Sequence, residues 1–462
     1  MEDNKKIVII GCGAGGATAA QFARKNNRKA EIIIFEKGKY PEYSKCGLPY
    51  AISGKIPKIM DLIEFDEDFF KKSKIDLFLE TTVKKIDKEK KIVIAENKDG
   101  EIKKEYDSLI LSTGSTPFIP PIKNIKTDDD LVEGVSVVRT IDDAKKIKSL
   151  VKKNKNATIV GAGFIGLEMA DNLYKMGMKI TIVEALSNIL ANVFDSDMAK
   201  MVQKKIPEEI NIFTDHLASE IIEEKDKIKS VKIKNKKTDE EKEIDTDLLI
   251  IATGTKANTK LAESIGCKIG KTGGIIVDNK SKTNVEDVYA VGDCTEYYDF
   301  VAKEKICIGL GSIVVRQAIA AGINSSGGEY KLFDGFLNTC TSDFFDIEVA
   351  SVGTCENLIE KEKVVSSKYN GESLPDYYPG GKPITIKVTA EIDSEKIIGA
   401  QAIGNNAAKR INTFAAAILG ELKVNHYKKL ETAYAPPIAP TLEADTIVCD
   451  ILDMKLTRKK NK

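Results

Sequence analysis

Residues 6–20 read KIVIIGCGAGGATAA, and residues 157–170 repeat the pattern as ATIVGAGFIGLEMA, 150 residues further along the chain. In each, an apolar run suited to a buried strand ends on glycines and passes into a helix-forming stretch, the context that gives a GxGxxG spacing meaning. The glycines are Gly11, Gly13 and Gly16 in the first copy and Gly161, Gly163 and Gly166 in the second. The first of each set permits a tight turn, the second lets backbone approach a pyrophosphate, and the third allows close strand–helix packing. The helix that follows presents its N-terminus to the phosphates. Each copy then ends its next strand on a carboxylate, Glu36 in EIIIFEK and Glu184 in KITIVEA, at the distance where a ribose hydroxyl is gripped. Two bound dinucleotides are expected.

The repetition continues past the glycines. Charged, alternating strands fill 75–105 and again 211–246, and each stretch closes on an apolar strand and a Thr-Gly. These are DSLILSTGS, with Thr113 and Gly114, and DLLIIATGT, with Thr253 and Gly254. An internal repeat of this kind predicts two units of similar fold, each a parallel sheet with a small antiparallel insertion. A third element, SKTNVEDVYAVGDC at 281–294, ends a short strand on Gly292-Asp293. It places the Asp293 carboxylate where a polyol such as a ribityl chain could be hydrogen-bonded.

Composition narrows the classes of function. A chain of 462 residues is long for one domain. Lysine plus arginine and aspartate plus glutamate each total 70, so no net field draws nucleic acid or an anionic membrane. Few polar residues precede the first strand and no run approaches 18 apolar residues, which predicts a soluble, cytoplasmic protein. The eight cysteines are all at least 13 residues apart, against a disulfide scaffold, a zinc site or a local dithiol. His216 and His426 stand in polar surroundings, and no metal centre is expected.

The doubled fingerprint, the two Thr-Gly strands and TxxxxVYAVGDC together resemble the pyridine nucleotide–disulfide oxidoreductases over nearly the whole chain. The resemblance implies FAD at the first unit and NADH at the second, with NADPH as the alternative donor. The fold it implies is α/β: two Rossmann-like dinucleotide-binding domains, one interrupted by the other, and a C-terminal α+β dimerisation domain. The corresponding divisions are 1–139 and 263–328 for FAD, 140–262 for NAD(P)H, and 329–462 for the homodimer-forming domain. The strands DIEVASVG, KPITIKVTA and IIGAQAIG in that last part read as a sheet with one buried face.

The chemistry turns on Cys46 in EYSKCGLPYAISG. A lone cysteine is ordinarily an inert core residue. Here it stands ten residues after Glu36, in a Gly/Pro-bounded segment where a beginning helix could lower a thiol pKa. The resembled family carries its redox cysteine in this place. The usual second cysteine is absent, since Glu42 lies four residues before Cys46 and Ala51 five after it. The chain therefore resembles the single-cysteine branch, which includes coenzyme A-disulfide reductases, NADH oxidases and peroxidases, and NAD(P)H sulfur or polysulfide reductases. In such an enzyme the cysteine forms its mixed disulfide, persulfide or sulfenate with an external substrate.

Within the branch, peroxidases and water-forming oxidases typically carry a histidine in the first glycine loop, where this chain has Ala14. GGATAAQFAR instead resembles the helix of coenzyme A-disulfide reductases, in which Arg24 would meet a coenzyme A phosphate or else be an ordinary solvated helix residue. DYYPGGKP, with Tyr377 and Tyr378, and TAYAPPIAP, with Tyr434, resemble that subgroup's tyrosine segments, whose phenols take the role of a histidine base; plain core packing is the alternative. The continuation IAPTLEADTI departs from the usual pattern and puts the pocket floor in question. By family position Phe164 is a gate over the flavin or a packing residue, and Glu168 faces the nicotinamide or lies on the helix surface. Coenzyme A disulfide and polysulfide or persulfide are joint expected substrates, with oxygen third. A regulatory or assembly flavoprotein with little turnover is the reading from another class, and Cys46 argues against it.

Overall fold

The computed structural model describes residues 4–127, 130–360 and 362–461. Close packing gathers the chain into two units, one formed by residues up to 118, 139–145 and 254–336, the other by 119–138, 146–253 and 337 onward.

The first unit is built on a five-stranded sheet in the order Val288–Ala290, Ser108–Leu111, Lys6–Ile10, Glu31–Phe35, Asp76–Phe78, every pairing parallel. Its strands are apolar on both faces because both are covered. Ile7, Ile9, Ile32, Ile34 and Ile110 pack with the alanines of helix Ala14–Asn26. Val8, Ile10, Ile33, Phe35, Leu109 and Leu111 pack on the other side with Val83 and Val93 of the small antiparallel sheet 82–105. Helix Ala14–Asn26 lies against helix Gly311–Ser325 closely enough that a Cβ on Gly322 would meet the Ala19 carbonyl. The small residues along both helices allow that approach.

The second unit repeats the plan. Its parallel sheet runs Val135–Val137, Leu248–Ile251, Asn156–Val160, Lys179–Val183, Asn211–Phe213. The registers match those of the first unit: Ile10 sits between Phe35 and Leu111, and Val160 between Val183 and Ile251. Gly11 N–H donates to Phe35 O and Gly161 N–H to Val183 O, both at 2.8 Å. A three-stranded antiparallel sheet at 216–245 occupies the place of the one at 82–105.

The same unit holds a five-stranded antiparallel sheet in the order Cys340–Phe344, Ile347–Gly353, Ile397–Gly404, Pro383–Glu391, Val364–Glu372, with helices Ala407–Leu419 and Ala444–Lys460 packed on it. One expectation is corrected here. Strand Pro383–Glu391 is buried on both faces, from Ile384 through Ala390. Its polar face stays satisfied because the Lys387 ammonium pairs with Asp195 at 3.0 Å, Asp197 at 2.9 Å and Glu356 at 2.8 Å. Among the described residues no helix is long and apolar enough to cross a membrane, and no group of His, Cys, Asp and Glu side chains could hold a metal ion.

Candidate functional site

The two glycine loops have nearly superimposable chemistry. Gly11 and Gly161 adopt φ of +102° and +104°, the left-handed region that a side chain resists. A Cβ on Gly16 or Gly166 would collide with the carbonyl of Gly11 or Gly161, so these positions hold helix against strand. Gly163 has open space where a Cβ would stand, and Gly13 has only the Lys45 Nζ, 3.7 Å away. Glu36 accepts Cys12 N–H and Gly38 N–H, each at 2.7 Å. Glu184 accepts Ala162 N–H at 2.6 Å and Leu186 N–H at 2.8 Å. Each carboxylate thus fastens its own glycine loop to the end of the neighbouring strand. Two of its roughly four acceptor sites are used, and the others remain for a ribose hydroxyl.

Asp293 lies beside the first loop's sheet. Its Oδ2 accepts from Ser115 Oγ at 3.0 Å and from Arg139 Nη2 at 3.1 Å. Thr113 Oγ1 donates to Asn258 O at 2.6 Å, and Asn258 returns a hydrogen bond from Nδ2 to Thr113 O. Gly114 O accepts from Asn258 N–H, and Gly254 O accepts from Phe118 N–H. These Thr-Gly pairs therefore tie together strands Ser115–Pro117 and Thr255–Ala257, where the chain leaves the first unit and returns to it.

Cys46 sits in a short 3₁₀ turn, Lys45–Gly47, that leads directly into helix Leu48–Ser53. Among the described residues, which include all eight cysteines, Cys46 alone is exposed; Cys307 is half-buried and the rest are buried. Burial pushes the thiols of Cys12, Cys267, Cys294, Cys340 and Cys449 upward, that of Cys355 to about 12 and that of Cys307 to about 11. A thiolate is the reactive form, so exposure singles out Cys46. Four residues earlier, Glu42 is 5% exposed and its Oε2 has no hydrogen-bond partner among the described residues. Burial, then the facing Glu64, push its carboxyl up to about 7 against the pull of Lys45.

In the second unit, Tyr377 and Tyr434, flagged by two separate segments, are brought together with their hydroxyls 2.8 Å apart. Both are exposed, and that hydrogen bond raises the Tyr377 pKa. Tyr378 lies beside them in sequence, with its backbone N–H on Pro375 O. Phe164 opens helix Phe164–Lys175, half-buried. Glu168, one turn on, accepts a hydrogen bond from Ser342 Oγ at 2.5 Å, and burial raises its pKa. Arg24 is committed elsewhere. Its guanidinium donates to the carbonyls of Asn27, Arg28, Ser73 and Lys74 and so clasps the end of its own helix.

The model of the pyridine nucleotide-disulphide oxidoreductases matches residues 5–317, and that of their dimerisation domain matches residues 340–445. The chain belongs to this family. A pyridine nucleotide-disulphide oxidoreductase relative from Methanocaldococcus jannaschii, named NADH oxidase, is 36% identical over 98% of this chain and 100% of its own. An NAD(P)H sulfur oxidoreductase (CoA-dependent) from Pyrococcus furiosus is 32% identical over 97% of this chain and 99% of its own. Among solved structures, an NAD-dependent persulfide reductase from A. fulgidus has 33% identity and a TM-score of 0.92, covering 98% of this chain and 84% of that one. The chain is thus an NAD(P)H-dependent flavoprotein oxidoreductase with a dimerisation domain of the same family.

The residues fit the two dinucleotides that family membership implies. Gly13 and Gly163 leave backbone uncovered at the start of a helix, and each loop has its acidic partner in place. Sequence reasoning missed Arg139, Lys45 and Glu42 as parts of the first site. Lys45 and Glu42 lie within the quoted Cys46 segment, whereas Arg139, in VVRTIDDA, belongs to none of the motifs and is separated from Asp293 by 154 positions.

Proposed function

We propose that this protein reduces a small-molecule disulfide, polysulfide or persulfide with electrons from NAD(P)H, using Cys46 as its single redox thiol. The observation that carries the proposal is Cys46 itself, the one exposed cysteine, with a carboxyl and a buried alanine at the places of a second cysteine. The names of the Pyrococcus and A. fulgidus relatives support sulfur-centred chemistry, and coenzyme A disulfide stands beside polysulfide as substrate. Oxygen reduction is the second reading, favoured by likeness to the Methanocaldococcus NADH oxidase.

In this reading bound FAD would supply the two-electron chemistry that links hydride from NAD(P)H to reduction of sulfur. The Cys46 thiolate attacks one sulfur of the substrate, forming a mixed disulfide and expelling a thiolate or sulfide. Two electrons originating from NAD(P)H then cleave the bond between Cys46 and the substrate sulfur, which leaves as thiolate or sulfide and is protonated, and the Cys46 thiolate returns. Gly11, Gly13, Gly16, Glu36, Thr113, Gly114 and Asp293 hold FAD. Gly161, Gly163, Gly166, Glu184 and Gly254 hold the nicotinamide dinucleotide, with Phe164 and Glu168 on its helix, and Glu184 favours NADH. Tyr434 and Tyr377, from the dimerisation domain, would stabilise or protonate the leaving sulfur from the partner subunit, with Tyr378 adjacent. The domain division is 1–139 with 263–328, 140–262, and 329–462.

The test is an anaerobic turnover panel with NADH and NADPH against coenzyme A disulfide, polysulfide, cystine, oxygen and peroxide, run on wild type and Cys46→Ser. Cys46→Ser should keep FAD and accept hydride, yet lose disulfide and polysulfide reduction by orders of magnitude because no covalent intermediate forms. Near-wild-type turnover by this variant sinks the assignment.

A further inference from the structure

Lys45 directly precedes the redox thiol, and its side chain reaches the first glycine loop. The Nζ lies 3.7 Å from the point where a Cβ on Gly13 would stand. Gly13 is the N-cap of helix Ala14–Asn26, whose first turn holds no acidic residue and whose cap has no side-chain hydrogen bond. A cation beside a helix N-terminus is unfavourable, since that end of the helix carries partial positive charge.

The charges around it do not resolve the conflict. Arg139 and Lys37 repel Lys45, while Glu36 and Asp293 attract it. Each oxygen of Glu36 accepts one backbone N–H, and Asp293 is paired with Arg139. Among the described residues no carboxylate forms an ion pair with Lys45, whose Nζ also lies over the Tyr43 ring, 5.9 Å from the centroid. Solvent reaches Lys45, yet protein surrounds it closely enough that desolvation lowers its pKa, with Arg139 adding to the effect. Ammonium and helix N-terminus therefore meet at one place with no ion pair on the ammonium. A diphosphate supplies two negative charges and acceptor oxygens for both the ammonium and the first-turn N–H groups.

We propose that Lys45 is a positioning residue that binds the pyrophosphate of the dinucleotide at the Gly11–Gly16 loop, so that cofactor binding fixes the segment carrying Cys46. The inference rests on the reading of that loop as the FAD site, and it adds a direct tie between cofactor and redox thiol. Coenzyme A also carries a diphosphate, but the position of Lys45 over Gly13 favours the dinucleotide.

The experiment strips FAD from wild type, Lys45→Met, Lys45→Arg and Cys46→Ser, then titrates each apo-protein with FAD by flavin fluorescence and, separately, with coenzyme A. Alkylation of Cys46 by iodoacetamide is timed with and without FAD. Lys45→Met should weaken FAD binding about 10- to 100-fold, the range for losing a hydrogen bond to a charged group. Lys45→Arg should stay within a few-fold of wild type, and Cys46→Ser should bind FAD as wild type does. FAD should change the alkylation rate of wild type and have little effect on that of Lys45→Met. Unchanged FAD affinity in Lys45→Met overturns the inference, and so does a loss confined to coenzyme A, which would assign Lys45 to substrate. These outcomes are independent of whether Cys46 reduces sulfur. Failure of wild type itself to bind FAD would overturn the site reading and this inference together.

Discussion

Glu42→Gln isolates the one buried carboxyl in the Cys46 segment. Glu42 O accepts Glu64 N–H at 3.1 Å, and the next pair, Tyr43 and Ile63, forms an antiparallel bridge. Glu42 and Glu64 are therefore cross-strand neighbours, an arrangement in which like charges repel. Burial is the larger effect on Glu42 and the repulsion adds to it, carrying its pKa from 4.5 to about 7. A carboxyl whose folded-state pKa is raised binds more protons folded than unfolded between those values, so stability falls as pH rises through that window. The contribution is intact below about pH 4.5 and lost above about pH 7. At about 1.4 kcal/mol per pH unit the loss amounts to about 3 kcal/mol. Glutamine keeps the shape and removes the titration. The assay is the thermal midpoint of the FAD-loaded protein from pH 5 to pH 8.5, wild type against variant. The variant should gain on wild type by about 3 kcal/mol between the ends of the range, whatever fixed offset the amide introduces. Glu64→Gln should recover a smaller part of the gain by lowering the Glu42 pKa. Parallel profiles for Glu42→Gln and wild type would refute the reasoning, because they would mean that Glu42 is not a buried acid in the folded protein.

Two further outcomes are expected. Wild type should show a higher kcat/KM for NADH than for NADPH, since a 2′-phosphate would meet the Glu184 carboxylate; Glu184→Ser should narrow or reverse the ratio and also weaken NADH, because Ala162 and Leu186 lose their acceptor. A clear preference of wild type for NADPH would show that Glu184 does not face the ribose. Cys46→Ser and Tyr434→Phe should each be nearly inactive, and mixing them after dissociation should restore one site per heterodimer. Proven heterodimers without activity would place Tyr434 in its own subunit's chemistry or in none.

What was legible in the sequence was what neighbours along the chain determine. A turn that only glycine can make, the strand before it and the helix after it are all written within 15 residues, and Glu36 follows at a fixed distance. The doubled copy made the repeat readable, and the two sheets share their register because the same short-range constraints act twice. Pairings that depend on distant segments were not legible. KPITIKVTA read as a strand of a sheet with one buried face, and nothing in it announced that Asp195, Asp197 and Glu356 would pair with Lys387. Tyr377 and Tyr434 were each marked by a motif, but their hydroxyl contact joins positions 57 apart. Nor did the helix that carries Arg24 announce the carbonyls of Ser73 and Lys74 that take its fork, which arrive from another part of the chain.

Position 42 shows the limit most clearly. In sequence it registered only as the place where a second cysteine was missing. Its chemistry depends on what faces it, and Glu64 and Lys45 face it because residues 42–44 are hydrogen-bonded to 62–64. A carboxyl that holds its proton near neutral pH is a different object from a solvated glutamate, though the letter is the same. The single-cysteine arrangement thus leaves a titratable group where a dithiol partner would stand, and its protonation is coupled to the folding of the segment that presents Cys46. The segment is therefore most firmly held at the acidic end of the range. Glu42→Gln should therefore extend the alkaline limb of the activity profile, and an unchanged limb would show that ionisation of Glu42 does not loosen the segment.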